Sequence, residues 1–184
     1  MAPRRAPEWH TTAWLNTPKP LTLEQLRGRV VLLHAFQMLC PGCVQQGLPQ
    51  AQRVAEAFAG TPLVVVGMHT VFEHHEAMQL ASLKAFVHEY RLRFAIGVDA
   101  PDSQGGSIPQ TMKAYAMQGT PTTVLIDAQG RLRRQVFGIH DDLVLGAELQ
   151  TLLLEARASG NGLLRPNPAA PGCDERGCAL PTSD

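Results

Sequence analysis

The residues with most chemistry to offer are Cys40 and Cys43, separated by Pro41 and Gly42. Two thiols at this spacing can hold zinc, close a structural disulfide, or pass electrons by thiol–disulfide exchange. Exchange needs a thiolate, so the attacking cysteine needs its pKa lowered toward ambient pH. The start of a helix does this, because its unpaired N–H groups and its dipole favour negative charge. Pro41 suits the first helical position, where its missing N–H costs nothing. Cys40 is then the nucleophile, and Cys43, one turn further on, resolves the mixed disulfide. Zinc would want a second pair of similar spacing, and Cys173 and Cys178 have four residues between them. A disulfide between near neighbours closes too small a loop to constrain the unfolded chain much. Redox exchange is the favoured reading.

Three further groups carry potential chemistry. His34 lies in the apolar run "VVLLHAF", six residues before Cys40. It is either a core histidine satisfied by a backbone carbonyl or a proton acceptor for Cys43, a role that burial favours by keeping the imidazole neutral. The segment "HTVFEHHEAM" holds His69, Glu73, His74, His75 and Glu76. It reads as a solvated loop and helix start, with a metal site or a substrate contact as alternatives. Cys173 and Cys178 are either exposed thiols, a disulfide that closes the tail, or an arm that relays electrons to Cys40.

The elements that position these groups follow from patterning. With 184 residues, 45% of them hydrophobic and 17% charged, the chain has enough apolar side chains for one domain with a core. The formal net charge is +0 and no Lys/Arg block occurs, which argues against nucleic-acid or anionic-membrane partners. "MAPRRAPEWHTTAWLNTPKP" lacks an apolar signal segment and no run is long enough to span a membrane. A cytosolic, cytoplasmic location is expected, and there paired thiols more often serve catalysis or metal binding than structure.

Thr22 and Gln25 have capping-box spacing, with Gly28 closing a single turn. Residues 30–36 and 62–68 read as buried parallel strands joined by a helix over 43–58, with Pro49 as a kink. Leu83, Phe86, Val87 and Tyr90 form the stripe of a second helix that should begin near Glu73 or Glu76. A strand over 94–99, a loop, a brief helix around "QTMKAYAM", a hairpin turning at Gly130 and a closing helix over 141–158 follow. This α/β order implies a central mixed sheet with helices on both faces. The domain is expected over residues 1–158, and residues 159–184, dense in Gly and Pro, read as a flexible tail.

The successive blocks "LRGRVVLLHAFQMLCPGC", "VVVGMHTVFEH", "YRLRFAIGVD" and "GTPTTVLIDAQGRLRRQVFG" resemble thioredoxin-like proteins of the TlpA and redoxin type over roughly residues 20–155. The resemblance implies a thioredoxin fold with Pro121 as a cis-proline facing the cysteines and Thr120 pairing with the substrate backbone. It also implies a thiol–disulfide oxidoreductase with Cys40 and Cys43 catalytic and Leu39, Pro41, Gly42, Thr120 and Pro121 against the substrate, with His34 joining the catalytic set on the proton-acceptor reading above. The expected partners are a disulfide-containing protein or small molecule and a thiol reductant of the thioredoxin or glutathione system, with no cofactor and no metal. Two departures stand out: Leu39 replaces the Trp usual before the first cysteine, and His34 replaces the buried carboxylate or Asn usual six residues before it. An antioxidant, peroxiredoxin-like peroxidase is the nearest alternative. Its pattern wants Thr or Ser where Gln37 stands and Pro where Leu33 stands. A copper chaperone of the Sco type would space its cysteines by three residues. A metal-binding or chaperone module that uses the Cys pair is the remaining alternative.

Overall fold

The computed structural model of the chain describes residues 4–160 and, beyond them, only the backbone pairing of Cys173–Asp174 with Gly177–Cys178. Six strands form one sheet: β1 (Thr11–Leu15), β2 (Val30–Phe36), β3 (Leu63–His69), β4 (Ala95–Asp99), β5 (Thr122–Ile126) and β6 (Leu132–Phe137). Their order across the sheet is β1-β4-β3-β2-β5-β6. β2, β3 and β4 are parallel to one another, and β1, β5 and β6 pair antiparallel to their neighbours. The sheet is therefore mixed, as the sequence implied.

β2 occupies the middle because every one of its seven residues is buried, and a strand of branched apolar side chains is stable only when covered on both faces. Alternation divides those side chains between two cores. Val30, Leu32 and Phe36 pack with Cys43 and with helices α1 (Leu48–Ala57), α2 (Leu80–Glu89) and α4 (Asp142–Ala158). Val31, Leu33 and Ala35 face Met112 of the short helix α3 (Gln110–Ala114), together with Tyr115 and Leu26. Burial of each large side chain contributes on the order of 1.5–3 kcal/mol, so the sheet's centre is its most strongly held part. His34 shares the alternation of Leu32 and Phe36, and so lies on the face that carries Cys43.

Several expected local features are present. Thr22 N–H donates to Gln25 Oε1 and Gln25 N–H to Thr22 Oγ1, both at 3.2 Å, the two bonds of a capping box, although the segment stays a turn. Gly28 and Gly130 both take positive φ at their turns. The closing helix, expected over 141–158, runs over Asp142–Ala158, and Asp141 stands outside it as a cap that accepts from Leu143 N and Val144 N.

Two expectations needed correction and one strand was missed. α2 starts at Leu80 and not near Glu73 or Glu76, because His74 adopts a left-handed φ of 50° and the chain runs through turns up to an extended Gln79. β1 was not anticipated: Thr11–Leu15 is a half-buried edge strand followed at once by Pro-containing turns. The stretch over 43–58 is not one α-helix with a kink, for reasons given below.

Candidate active site

β2 ends at Phe36, and the chain turns so that Cys40 N–H donates to Gln37 O at 3.3 Å. Val44 N–H then donates to Cys40 O at 3.1 Å, which makes Cys40 the cap of a helix whose first residue is Pro41. Cys40 and Cys43 are joined by a disulfide, with Cα atoms 5.2 Å apart. Cys43 N–H points at Cys40 Sγ from 3.2 Å. After reduction the same donor faces the Cys40 thiolate and favours it over the thiol. Cys43 is fully buried and Cys40 only partly so, which leaves Cys40 as the sulfur within reach of a partner.

From Cys43 to Gly47 the helix is π-wound, and Leu48 N–H reaches back five residues to Cys43 O. α1 follows with Pro49 in its first turn. In a continuous α-helix the Pro49 ring would collide with the carbonyl four residues earlier, and the wider turn removes that clash. What the wider turn surrounds is His34. A Cβ added at Gly47 would lie 2.6 Å from His34 Cε1 and Nε2 and 3.3 Å from Pro121 Cβ. Gly47 thus faces both the imidazole and Pro121, and the ring lies on the face of the sheet that carries Cys43.

His34 Nδ1 lies 3.4 Å from Thr123 Oγ1, and its Nε2 is buried without a hydrogen-bond partner. Loss of solvation pulls the imidazole pKa down to about 4, so the ring is neutral at physiological pH. Gly47→Ala is expected to cost about 1–3 kcal/mol of stability through overpacking against His34. That exceeds the gain of at most about 1 kcal/mol from replacing a helical glycine. Urea unfolding of the oxidised protein measures it.

The Thr120–Pro121 bond is cis, and Thr120 O lies 3.5 Å from Cys40 Sγ. Gly42 packs under the same proline, with room for a Cβ at 3.4 Å from Pro121 Cδ. Leu39 is 57% exposed beside Cys40. Phe137 covers Gly119, where a Cβ would come within 2.9 Å of its ring, and it is nevertheless 54% exposed. Gly138 N–H donates to Pro121 O at 2.8 Å, which fixes the end of β6 against the proline loop. Leu39 and Phe137 therefore give the surroundings of Cys40 an apolar rim.

Gln37, Gly47, Thr123 and Phe137 belong to this site, and sequence reading did not pick them out as members. Only Gly47 left a signal, as a glycine two residues before a proline inside an otherwise helical pattern. Gln37 is buried, its Oε1 accepting from Phe72 N–H and its Nε2 donating to Glu73 Oε1, both at 3.2 Å. The position where a peroxidase would present a hydroxyl is here occupied by an amide that ties down the 71–76 loop. The histidine cluster divides: His69 is buried with its ring centroid 5.4 Å from that of Phe36, while His74, His75, Glu73 and Glu76 are exposed. Among the described residues, no three His, Cys, Asp or Glu side chains are grouped to hold a metal ion. No described helix is long and apolar enough to cross a membrane. The tail relay lies outside the described residues, apart from the backbone register that sets Cys173 opposite Cys178.

A mixed sheet with a Cys-Pro-Gly-Cys disulfide at the start of a helix, faced by a cis-proline, defines a thioredoxin-like oxidoreductase of the redoxin type. Residues 3–135 match the AhpC/TSA family, and the chain belongs to it. The crystal structure of the thioredoxin-like superfamily protein SPOA0173 superimposes with a TM-score of 0.79 at 54% identity, covering 82% of this chain and 96% of that one. A thiol-disulfide isomerase from Corynebacterium glutamicum gives 0.76 at 45% identity, over 80% and 96% of the two chains. Protein DipZ of Mycobacterium tuberculosis is 30% identical over 161 residues, which are 86% of this chain and 21% of that protein. The chain thus spans about a fifth of the length of this curated relative.

Proposed function

We propose that the chain reduces or exchanges disulfides through Cys40 and Cys43. The observation that carries this reading is the pairing of a fully buried Cys43 with a reachable Cys40 whose sulfur faces a helix-start N–H at 3.2 Å. In the reduced protein the Cys40 thiolate attacks one sulfur of a substrate disulfide. The substrate's S–S bond breaks, a Cys40–substrate disulfide forms, and the other substrate sulfur leaves as a thiolate. Cys43 then gives its proton to His34 and attacks Cys40 Sγ, which releases the second substrate thiolate and leaves the Cys40–Cys43 disulfide. Two electrons have passed to the substrate. A thiol reductant, of the thioredoxin or glutathione system, restores the dithiol.

The reading assigns Pro41, Gly42, Thr120 and Pro121 to the groove beside Cys40 and Leu39 to its rim. A cytosolic setting suits it, because a reducing compartment keeps catalytic thiol pairs in use. The test is reduction of insulin disulfides with dithiothreitol as electron source. A protein that gives no acceleration over dithiothreitol alone is not a disulfide reductase.

The apolar rim predicts a preference for disulfides flanked by apolar side chains. Phe137→Ala is expected to raise KM for insulin about fivefold, the effect of roughly 1 kcal/mol of lost apolar contact, with kcat nearly unchanged. Steady-state kinetics of the variant check this split.

Membership of the AhpC/TSA family favours peroxide reduction as a second reading. Cys40 would then attack the peroxide O–O bond and become a sulfenic acid, which Cys43 would condense with to give the same disulfide and water. Consumption of hydrogen peroxide with thioredoxin as electron donor tests it. The engaged amide of Gln37 counts against it, since no side-chain hydroxyl stands at that position to orient a peroxide.

A further inference from the structure

The second half of α2, its turn into β4 and the end of β1 frame a cavity of about 640 Å³. Its size falls within the range of about 300–1,000 Å³ common for small-molecule sites. Because β2 and β4 run parallel, a cavity at the amino end of β4 lies at the end of the sheet opposite Cys40. Leu15, Val87 and Leu92 give it an apolar lining, Val87 and Leu92 being buried. Lys84, Arg91 and Arg93 line it too, and all three are exposed. Among the described residues, none of these three cations is paired with a carboxylate, whereas the neighbouring His88 meets Glu89.

Cations beside the last turn of a helix gain from its dipole. That accounts for neither Lys84, which precedes the last turn of α2, nor Arg93, which stands beyond it. Arg91 is the odder residue. α2 ends in a Schellman motif, in which Arg91 N–H donates to His88 O and Leu92 N–H to Val87 O, both at 3.1 Å. The motif puts the residue after Tyr90 in the left-handed region, where glycine is usual and a side chain costs free energy, yet Arg91 stands there with a φ of 51°. Strain of this kind gathers at ligand clamps. Asn16, also left-handed and also lining the cavity, donates from Nδ2 to Leu92 O at 2.7 Å and to Phe94 O at 3.1 Å. It so pins the backbone on both sides of Arg93, which lessens the ordering that binding requires.

We propose that this cavity binds a small molecule with a doubly charged oxyanion head, a phosphate or paired carboxylates, on an apolar body. Lys84, Arg91 and Arg93 donate to the head, and Leu15, Val87 and Leu92 take the body. Uncompensated cations around one cavity repel one another, and a dianion relieves that repulsion while accepting charge-assisted hydrogen bonds. Guanidinium groups suit either head, because their paired N–H groups match two oxygens. The site is independent of the disulfide chemistry.

The test is ¹H–¹⁵N NMR titration of the oxidised full chain with phenyl phosphate, phenylmalonate, inorganic phosphate and benzyl alcohol. Saturable shifts are expected with the two aromatic dianions, largest at the amides of Arg91, Leu92 and Arg93. Tighter phenyl phosphate binding identifies a phosphate as the recognised head, and tighter phenylmalonate binding a pair of carboxylates. Arg91→Gly supplies the residue that the Schellman motif prefers, so it should unfold at or above the wild-type urea midpoint. Its affinity for the dianion should nevertheless fall about threefold, as should that of Lys84→Gln, with about tenfold lost in the double variant. No saturation with either aromatic dianion, shifts confined to other residues, or saturation by phosphatidylglycerol vesicles alone overturns the proposal. So does inorganic phosphate or benzyl alcohol binding as tightly as phenyl phosphate, or unchanged affinity in the folded double variant.

Discussion

Cys40→Ser is expected to bring insulin-disulfide reduction down to the dithiothreitol background, while Cys43→Ala keeps the first half of the reaction and stops there. The asymmetry follows from burial. Cys40 is the sulfur a partner can reach, and after reduction the Cys43 N–H and the start of the helix that Pro41 opens would favour its thiolate. Serine cannot replace it, because a hydroxyl at neutral pH is neither ionised nor able to bond covalently to a sulfur leaving group. Cys43 has no exposure at all, so without it the mixed disulfide on Cys40 has no internal thiol to resolve it. A Cys43→Ala protein mixed with oxidised substrate should therefore accumulate an equimolar, dithiothreitol-sensitive adduct. Mass spectrometry should place the link on Cys40. Rapid alkylation of the reduced wild type with iodoacetamide should modify Cys40 first, with a midpoint below the ordinary thiol value of about 8.5. An adduct on Cys43, or equal alkylation of both, would reverse the assigned roles.

Much of this arrangement was legible in the sequence because it depends on local rules. A run such as "VVLLHAF" permits little except a central strand, Pro41 after Cys40 announces a helix start, and the hairpin turns where Gly130 permits positive φ. What escaped the sequence was the product of contacts between distant segments. His34 was visible as a question, but its neighbours Gly47 and Thr123 come from elements 13 and 89 residues away along the chain. The π-wound turn was read as a kink, since Pro49 shows that an α-helix must yield there but not how. Phe137 was read only as part of a hairpin strand, and its place over Gly119 depends on how β6 ends against the proline loop. The start of α2 was displaced because Glu73 and Glu76 look like helix-opening acids. Gln37 holds Glu73 in a loop instead.

His34→Asn should separate the two things that a buried imidazole does here. The first is proton transfer. When Cys43 attacks Cys40 it must shed a proton in a site closed to water, and the neutral ring on the same face of the sheet is the base on hand. Removing such a base slows the step it serves by on the order of 10²-fold. Single-turnover mixing with an oxidised substrate should show the mixed disulfide forming at the wild-type rate and decaying far more slowly. His34→Asp, which restores an ionisable group, should recover part of that rate. Equal decay in wild type and His34→Asn would remove His34 from the mechanism. The second effect is on stability. In the unfolded chain the imidazole pKa is about 6.5, and in the folded chain it is about 4. Between those values the unfolded state binds a proton that the folded state refuses, so stability falls as pH drops from about 6.5 to about 4. The loss amounts to roughly 3 kcal/mol for His34, and His69 adds a term of the same sign over the same window. Urea unfolding at pH 7 and pH 4.5 should thus show a steep loss in the wild type and about half of it in His34→Asn. The same burial that bars a proton from the ring in acid makes the imidazole a weak base, so a proton taken from Cys43 is held only while the Cys40–Cys43 bond forms.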